Sequence, residues 1–213
     1  MPGWSVGEYK ALQEVFSEND YALNEHNVTL LWSAYQFGDD AHRGQKRKSG
    51  VPYFEHCIEV CIQLISWHMD IDTLIAGLLH DTIEDTDVTK KQIKEKFNKD
   101  ISELVFGVSK LSGIKFKDHK HKQAENLIKM FLAVAKDLRV IIIKFSDRLH
   151  NMRTLKHLSE DKQIRIANET KEVYAPLAHR LGMNSLKIDL ENAILEITEK
   201  KAYKNIKSKI NST

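Results

Sequence analysis

Three features of the chain predict an all-α fold. Turn-forming residues are scarce: 213 residues include three prolines and nine glycines, too few for the many turns of a strand-rich domain. No proline falls between Pro52 and Pro176. Apolar residues recur at helical spacing, as in Ile58, Cys61, Ile62 and Ile65, and again in Leu127, Met130, Phe131 and Val134. Neither an internal repeat nor a low-complexity linker interrupts the pattern.

In chain order, helices are expected over about 8–18 and 24–42. Pro52, tolerated in a first helical turn, opens a helix carrying His56. Asp70-Ile71-Asp72 reads as a cap before Leu74, Ile75, Leu78 and Leu79. Further helices are expected over 89–97 and 100–111. The run Val140 to Ile143 is β-branched and suits a strand by itself. Phe145, Leu149, Met152 and Leu155 extend it with helical spacing and no turn residue, which predicts one long helix over 137–157. Helices over 161–181 and 184–208 complete the set. Two basic connections stand out, Arg43–Val51 (RGQKRKSGV) and Leu111–Lys122 (LSGIKFKDHKHK).

Apolar residues make up 42% and charged residues 29% of the chain, which excludes a disordered protein and suits one globular domain over residues 1–213. The net charge of +2 is far too small for a histone-like nucleic-acid binder. No apolar run is long enough to span a membrane, and the N-terminus lacks the apolar core of a signal peptide. A cytoplasmic protein is therefore expected, with no membrane or nucleic-acid partner and its oligomeric state open. Cys57 and Cys61, at i and i+4, read as two buried thiols rather than an oxidised pair. With no second cysteine pair, a four-ligand structural zinc site is unsupported.

The chemistry concentrates in a few polar residues at apolar positions. His80-Asp81 follows Leu78-Leu79, and Glu84 and Asp85 come at i+4 from them. Close carboxylates repel unless a cation is present. His56 lies on the helix opened by Pro52, and Asp147 lies inside the apolar run from Ile141 to Leu149, where a carboxylate is costly unless paired or metal-bound. Arg148 is its neighbour in sequence, but adjacent helical residues point about 100° apart. His56, His80, Asp81 and Asp147 form an N2O2 set suited to Mn, Fe, Zn or Co rather than Ca. Such an ion lowers the pKa of a water it holds.

The order H…HD…D in a helical chain resembles the HD phosphohydrolases. The blocks AHRGQKRKSGVPYFEH, GLLHDTIEDTDVT, QAENLIKM, IKFSDRLHNMRTL and ETKEVYAPLAHRLGMNSLK resemble, in order and over about 30–190, the hydrolase domain of RelA/SpoT-type alarmone enzymes. The resemblance implies an HD helical bundle and Mn²⁺-dependent removal of the 3′-pyrophosphate of ppGpp and pppGpp, with one Mn²⁺ per chain. It implies His56, His80, Asp81 and Asp147 as metal ligands, and Glu84 and Asp85 as the pair that orients or activates the attacking water. It also implies Arg47, Lys48 and Ser49 as the nucleotide loop, with Arg47 stacked on the purine, and Asn151 and Thr154 as nucleoside contacts. Asn151 and Thr154 share a helix face with Asp147. A guanidinium that stacks on a base while the loop attracts phosphate is physically reasonable.

The chain departs from the family at three places. Gly-Glu-Pro is Gly50-Val51-Pro52, His-Pro is His56-Cys57, and Ala-Asp-Arg is Ser146-Asp147-Arg148. A synthetase, TGS or regulatory domain is not expected in 213 residues. Alternatives remain open at this stage: the same site acting on ppApp or on the 2′-phosphate of NADPH, a catalytically silent alarmone-binding module, or a hydrolase domain excised from a longer bifunctional enzyme.

Overall fold

The computed structural model describes residues 15–16, 18–19, 24–112 and 136–211. The described residues are helical, with no strand; a single β-bridge pairs Lys46 with Pro52. Most of the helix expected over 8–18 lies outside the described residues, although Val15, Phe16 and Glu18 are helical; the periodic stretch 127–134 and most of the second basic connection lie outside them too. Two compact units divide the chain, one ending at Ser146 and the other starting at Asp147.

The first unit contains α1 (Glu25–Ala41), α2 (Phe54–Ser66), α3 (Ile71–Leu79), α4 (Thr82–Asp85), α5 (Lys90–Lys96) and α6 (Lys99–Ser112). Its helix starts are set by short polar side chains. Asn24 accepts from the Asn27 amide at 2.8 Å, Asp70 accepts from the Thr73 amide at 3.0 Å, and Thr89 forms a capping box with Gln92. Each such cap stabilises its helix by about 1 kcal/mol.

The α3 helix packs against α1, α2 and α6, which accounts for its apolar circumference. Leu74, Ile75, Leu78 and Leu79 are fully buried, worth about 1.5–3 kcal/mol each by area. Gly77 makes the α2–α3 contact possible: a Cβ there would stand 2.5 Å from Leu64 Cδ1. This close approach sets the end of α3, where His80 follows, against the start of α2, where His56 sits. Pro52 precedes α2 rather than entering it; Tyr53 is the N-cap.

The α7 helix (Leu138–Arg153) is helical through Val140–Ile143, so burial and continuation overrode strand propensity. Within the first unit, Ser146 Oγ donates to the Val60 carbonyl at 3.0 Å. The α7 helix is shorter than expected. It stops at Arg153, and a 3-10 turn covers Leu155–His157.

The second unit continues with α8 (Glu160–Glu169), a π-helical turn at Thr170–Tyr174, α9 (Ala175–Arg180), α10 (Asn184–Thr198) and α11 (Lys200–Asn211). The expected helix over 161–181 is thus one helical run with a π turn inside it. The expected helix over 184–208 breaks at Glu199, whose φ of −130° and ψ of 50° leave the helical region. No glycine or proline marks that break.

Candidate metal centre

His56, His80 and Asp81 converge in the first unit. All three are buried. The imidazole rings of His56 and His80 stand 5.2 Å apart at 70°. Asp81 Oδ2 lies 3.1 Å from His80 Nε2 and 3.7 Å from His56 Nε2. The turn that achieves this differs from the single helix on which the spacing argument rested. The α3 helix ends at Leu79, His80 and Asp81 form a turn, and Asp81 is the N-cap of α4.

The His80 ring has one assignable tautomer. Nδ1 lies 2.8 Å from the Gly77 carbonyl, and a carbonyl only accepts, so Nδ1 carries a proton. Nε2 then faces a carboxylate oxygen at 3.1 Å. Two electron-rich atoms at that separation need a cation between them, either a proton or a metal ion. Burial is the strongest single influence and disfavours a charged His80, but the Asp81 carboxylate and Cys57 together outweigh it and raise the pKa well above the ordinary histidine value. A divalent ion would take the place of that proton. The donor chemistry of the cluster therefore fits the metal that an HD site implies.

Tyr53 ties this cluster to the next turn. Its hydroxyl lies 2.8 Å from Asp81 Oδ2 and 2.8 Å from Asp85 Oδ2. Burial and the two carboxylates hold its pKa far above the ordinary phenol value, so the hydroxyl stays protonated and shares one proton between two acceptors. Gln45 Nε2 donates to the Asp85 backbone carbonyl at 2.8 Å. His42 supports both partners: its Nδ1 lies 2.9 Å from Gln45 Oε1, and its ring stacks on Tyr53 at 4.9 Å. Asp85 is held at side chain and backbone by the α1–α2 connection. Sequence reasoning missed Tyr53, Gln45 and His42. The one available signal was the cluster of hydrogen-bonding residues flanking the basic loop.

That connection also carries the expected nucleotide loop. Arg47 N donates to the Val51 carbonyl, and Gly50 N donates to the Arg47 carbonyl, each at 2.9 Å. Gly50 has φ of +91°, a left-handed turn position that suits glycine. Lys48 and Ser49 are exposed at the tip, and the Arg47 guanidinium stands 5.8 Å from the centre of the Tyr53 ring. Glu84 and Asp85 are exposed.

In the second unit, Asp147 is buried. The Asn151 amide donates to its Oδ1 at 2.5 Å. Arg148 turns to other partners, Glu169 Oε1 at 2.5 Å and the face of Tyr174 at 4.2 Å. Thr154 Oγ1 donates to the His150 carbonyl at 3.0 Å. Cys57 and Cys61 are buried and form no disulfide. Burial, and then Cys57, push the Cys61 thiol far up. Among the described residues no helix is long and apolar enough to cross a membrane.

Residues 34–184 match the family described as HD domain. The bifunctional (p)ppGpp synthase/hydrolase SpoT of Escherichia coli K12 is 49% identical over 185 residues, which cover 87% of this chain and 26% of that protein. The guanosine-3′,5′-bis(diphosphate) 3′-pyrophosphohydrolase of Vibrio cholerae is 47% identical over 199 residues, covering 93% and 28% respectively. The chain thus spans about a quarter of the length of these curated relatives. A solved structure of a metazoan SpoT ortholog, described as hydrolysing ppGpp, superposes with a TM-score of 0.59 at 26% identity, covering 82% of this chain and 96% of that one.

Proposed function

The chain belongs to the HD domain family, and from this premise we propose that it is a Mn²⁺-dependent hydrolase that removes the 3′-pyrophosphate of ppGpp and pppGpp. The observation that carries the proposal is the buried His56–His80–Asp81 cluster, whose His80 Nε2 and Asp81 Oδ2 stand 3.1 Å apart, close enough to share one divalent ion. The 49% identity to a (p)ppGpp synthase/hydrolase supports the choice of nucleotide.

His56, His80 and Asp81 are proposed as ligands, with Asp147 as the fourth. The sequence argument for Asp147 is its carboxylate in an apolar helix, and its burial agrees. A divalent ion held there supplies a Lewis acid that acidifies water and draws charge from phosphorus. Asp85 and Glu84 act on the attacking water. Tyr53 engages Asp85 Oδ2, so Oδ1 is the oxygen that takes the water's proton. Arg47 stacks on the base, while Lys48 and Ser49 meet phosphate. Asn151 and Thr154 act on the nucleoside side, and Asn151 also fixes the rotamer of Asp147. Water adds to the phosphorus bonded to the 3′ oxygen, the P–O3′ bond breaks, and that oxygen leaves with a proton. The products are GDP or GTP and intact pyrophosphate.

The test is incubation of the metal-reconstituted protein in ¹⁸O water with ppGpp, pppGpp, ppApp and NADPH. Label in pyrophosphate and none in the nucleoside diphosphate is expected. First-formed orthophosphate would place the cut between the two phosphates and refute the mechanism. The two other substrates belong in the panel because Val51, half exposed at the loop, replaces a charge of the family pattern. Faster turnover of either would reassign the substrate. Asp147→Ala should lose metal by elemental analysis together with turnover; full metal occupancy in that variant would remove Asp147 from the ligand set.

A further inference from the structure

Cys57 follows His56 on α2 and is fully buried. Its sulfur, one imidazole nitrogen of His80 and one carboxylate oxygen of Asp81 all lie within 4.8 Å of one another. The proposed hydrolytic centre uses His80 and Asp81 and leaves the thiol unused. A thiolate, an imidazole and a carboxylate are three of the four donors of a tetrahedral zinc site. Zn–S bonds of about 2.3 Å and Zn–N bonds of about 2.0 Å put such donor atoms about 3.5 Å apart. The His80 Nε2–Asp81 Oδ2 pair is already at 3.1 Å, and the Nδ1–Gly77 bond presents the other ring nitrogen to the cluster.

We propose that Cys57, with His80 and Asp81, gives this centre a second metal-binding mode that selects a thiophilic divalent ion such as zinc. As the sulfur–metal bond forms, the S–H proton leaves to solvent; no electron transfer is involved. Nitrogen and oxygen donors suit manganese, whereas adding a thiolate shifts preference toward zinc, which binds mixed sites more tightly than manganese in any case. Both modes share His80 and Asp81, so they exclude each other. Resting on the hydrolase reading, this makes zinc an inhibitor of the manganese-loaded enzyme, with Cys57 as the reason.

Cobalt is the probe, because thiolate ligation gives a sulfur-to-cobalt charge-transfer band in the near ultraviolet. The metal-stripped full chain, kept reduced, is titrated with Co²⁺. One equivalent is expected to raise the band in the wild type and in Cys61→Ser, and Cys57→Ser should lack it. Saturation of the wild type without the band overturns the proposal, and this arm needs no variant to fold. Competition against a chromophoric chelator should show Cys57→Ser weakening zinc at least tenfold while changing manganese affinity less than threefold. Equal losses for both metals would overturn selectivity. In turnover assays, zinc should inhibit the wild type at lower concentration than Cys57→Ser, and equal inhibition would overturn the Cys57 explanation. A wild type that hydrolyses none of the nucleotides refutes the hydrolase reading, and the cobalt spectrum still decides the ligand.

Discussion

One phenolic proton serves two carboxylates at Tyr53. Removing it with Tyr53→Phe keeps the ring and its stacking on His42 but breaks the bridge between Asp81 and Asp85. A loss of about 10–100-fold in kcat or metal affinity is expected, the usual scale for groups that orient ligands. If Tyr53 acts through Asp85, the rate loss should shrink when Tyr53→Phe is made on top of Asp85→Asn; fully additive losses would show the two acting separately. Glu84→Gln and Asp85→Asn should each hold metal and nucleotide while losing about 10²-fold or more in rate, and near-native rates in both would exclude them from the chemistry. Arg47→Ala should raise KM more than it lowers kcat, since stacking acts in ground and transition states alike. At this scale the sequence singled out polar residues that interrupt an apolar pattern: His80, Asp81 and Asp147 stood out that way, and all three are buried. Tyr53 did not, because an aromatic at the start of a helix looks like core, and its acceptors lie 28 and 32 residues away.

Helix ends were readable where a side chain made them. Asn24, Asp70 and Thr89 are such caps, and their helices start within a residue or two of expectation. The end of α2 is made by backbone alone. His68 has φ of 54°, with its amide bonded to Ile65 O at 2.8 Å and the Met69 amide to Leu64 O at 3.2 Å, the paired bonds of a Schellman motif. A non-glycine residue in that conformation costs about 1–2 kcal/mol, so nothing in the letters announced it. His68→Gly should raise stability by up to about 1 kcal/mol once glycine's own entropy is charged against the relief; an unchanged urea midpoint would show that the motif absorbs the strain. Gly38 on α1 gives the opposite sign. A Cβ there would meet Phe54 Cε2 at 2.3 Å, and that ring is buried. The helix-propensity gain of Gly38→Ala is about 1 kcal/mol, against about 1–3 kcal/mol for overpacking. A net loss near 1 kcal/mol is expected in urea denaturation, and a stabilised variant would mean the ring moves freely.

Over the whole chain the formal charge is only +2, so the attraction for a polyanionic nucleotide that the proposed function calls for would have to be local, in the Arg47–Lys48 loop. Exposed charges are screened over about 10 Å at 0.1 M salt. KM for ppGpp should therefore rise with ionic strength while kcat holds, as steady-state assays in graded KCl would show; a salt-independent KM would deny the loop its electrostatic role. The all-α class was legible from sparse turn residues and 3.6 periodicity. The division into units was not, because it falls between Ser146 and Asp147, inside α7, with no glycine, proline or polar run to mark it. That placement has a practical consequence for dissection. The two units share no linker at which they part: a cut between them severs a helix and strips the last carbonyls of their amide partners. The cut would fall directly after Ser146, whose hydroxyl is pinned to Val60 within the first unit. The molecule is therefore not modular at this seam, and neither half should be obtainable as a transplantable part.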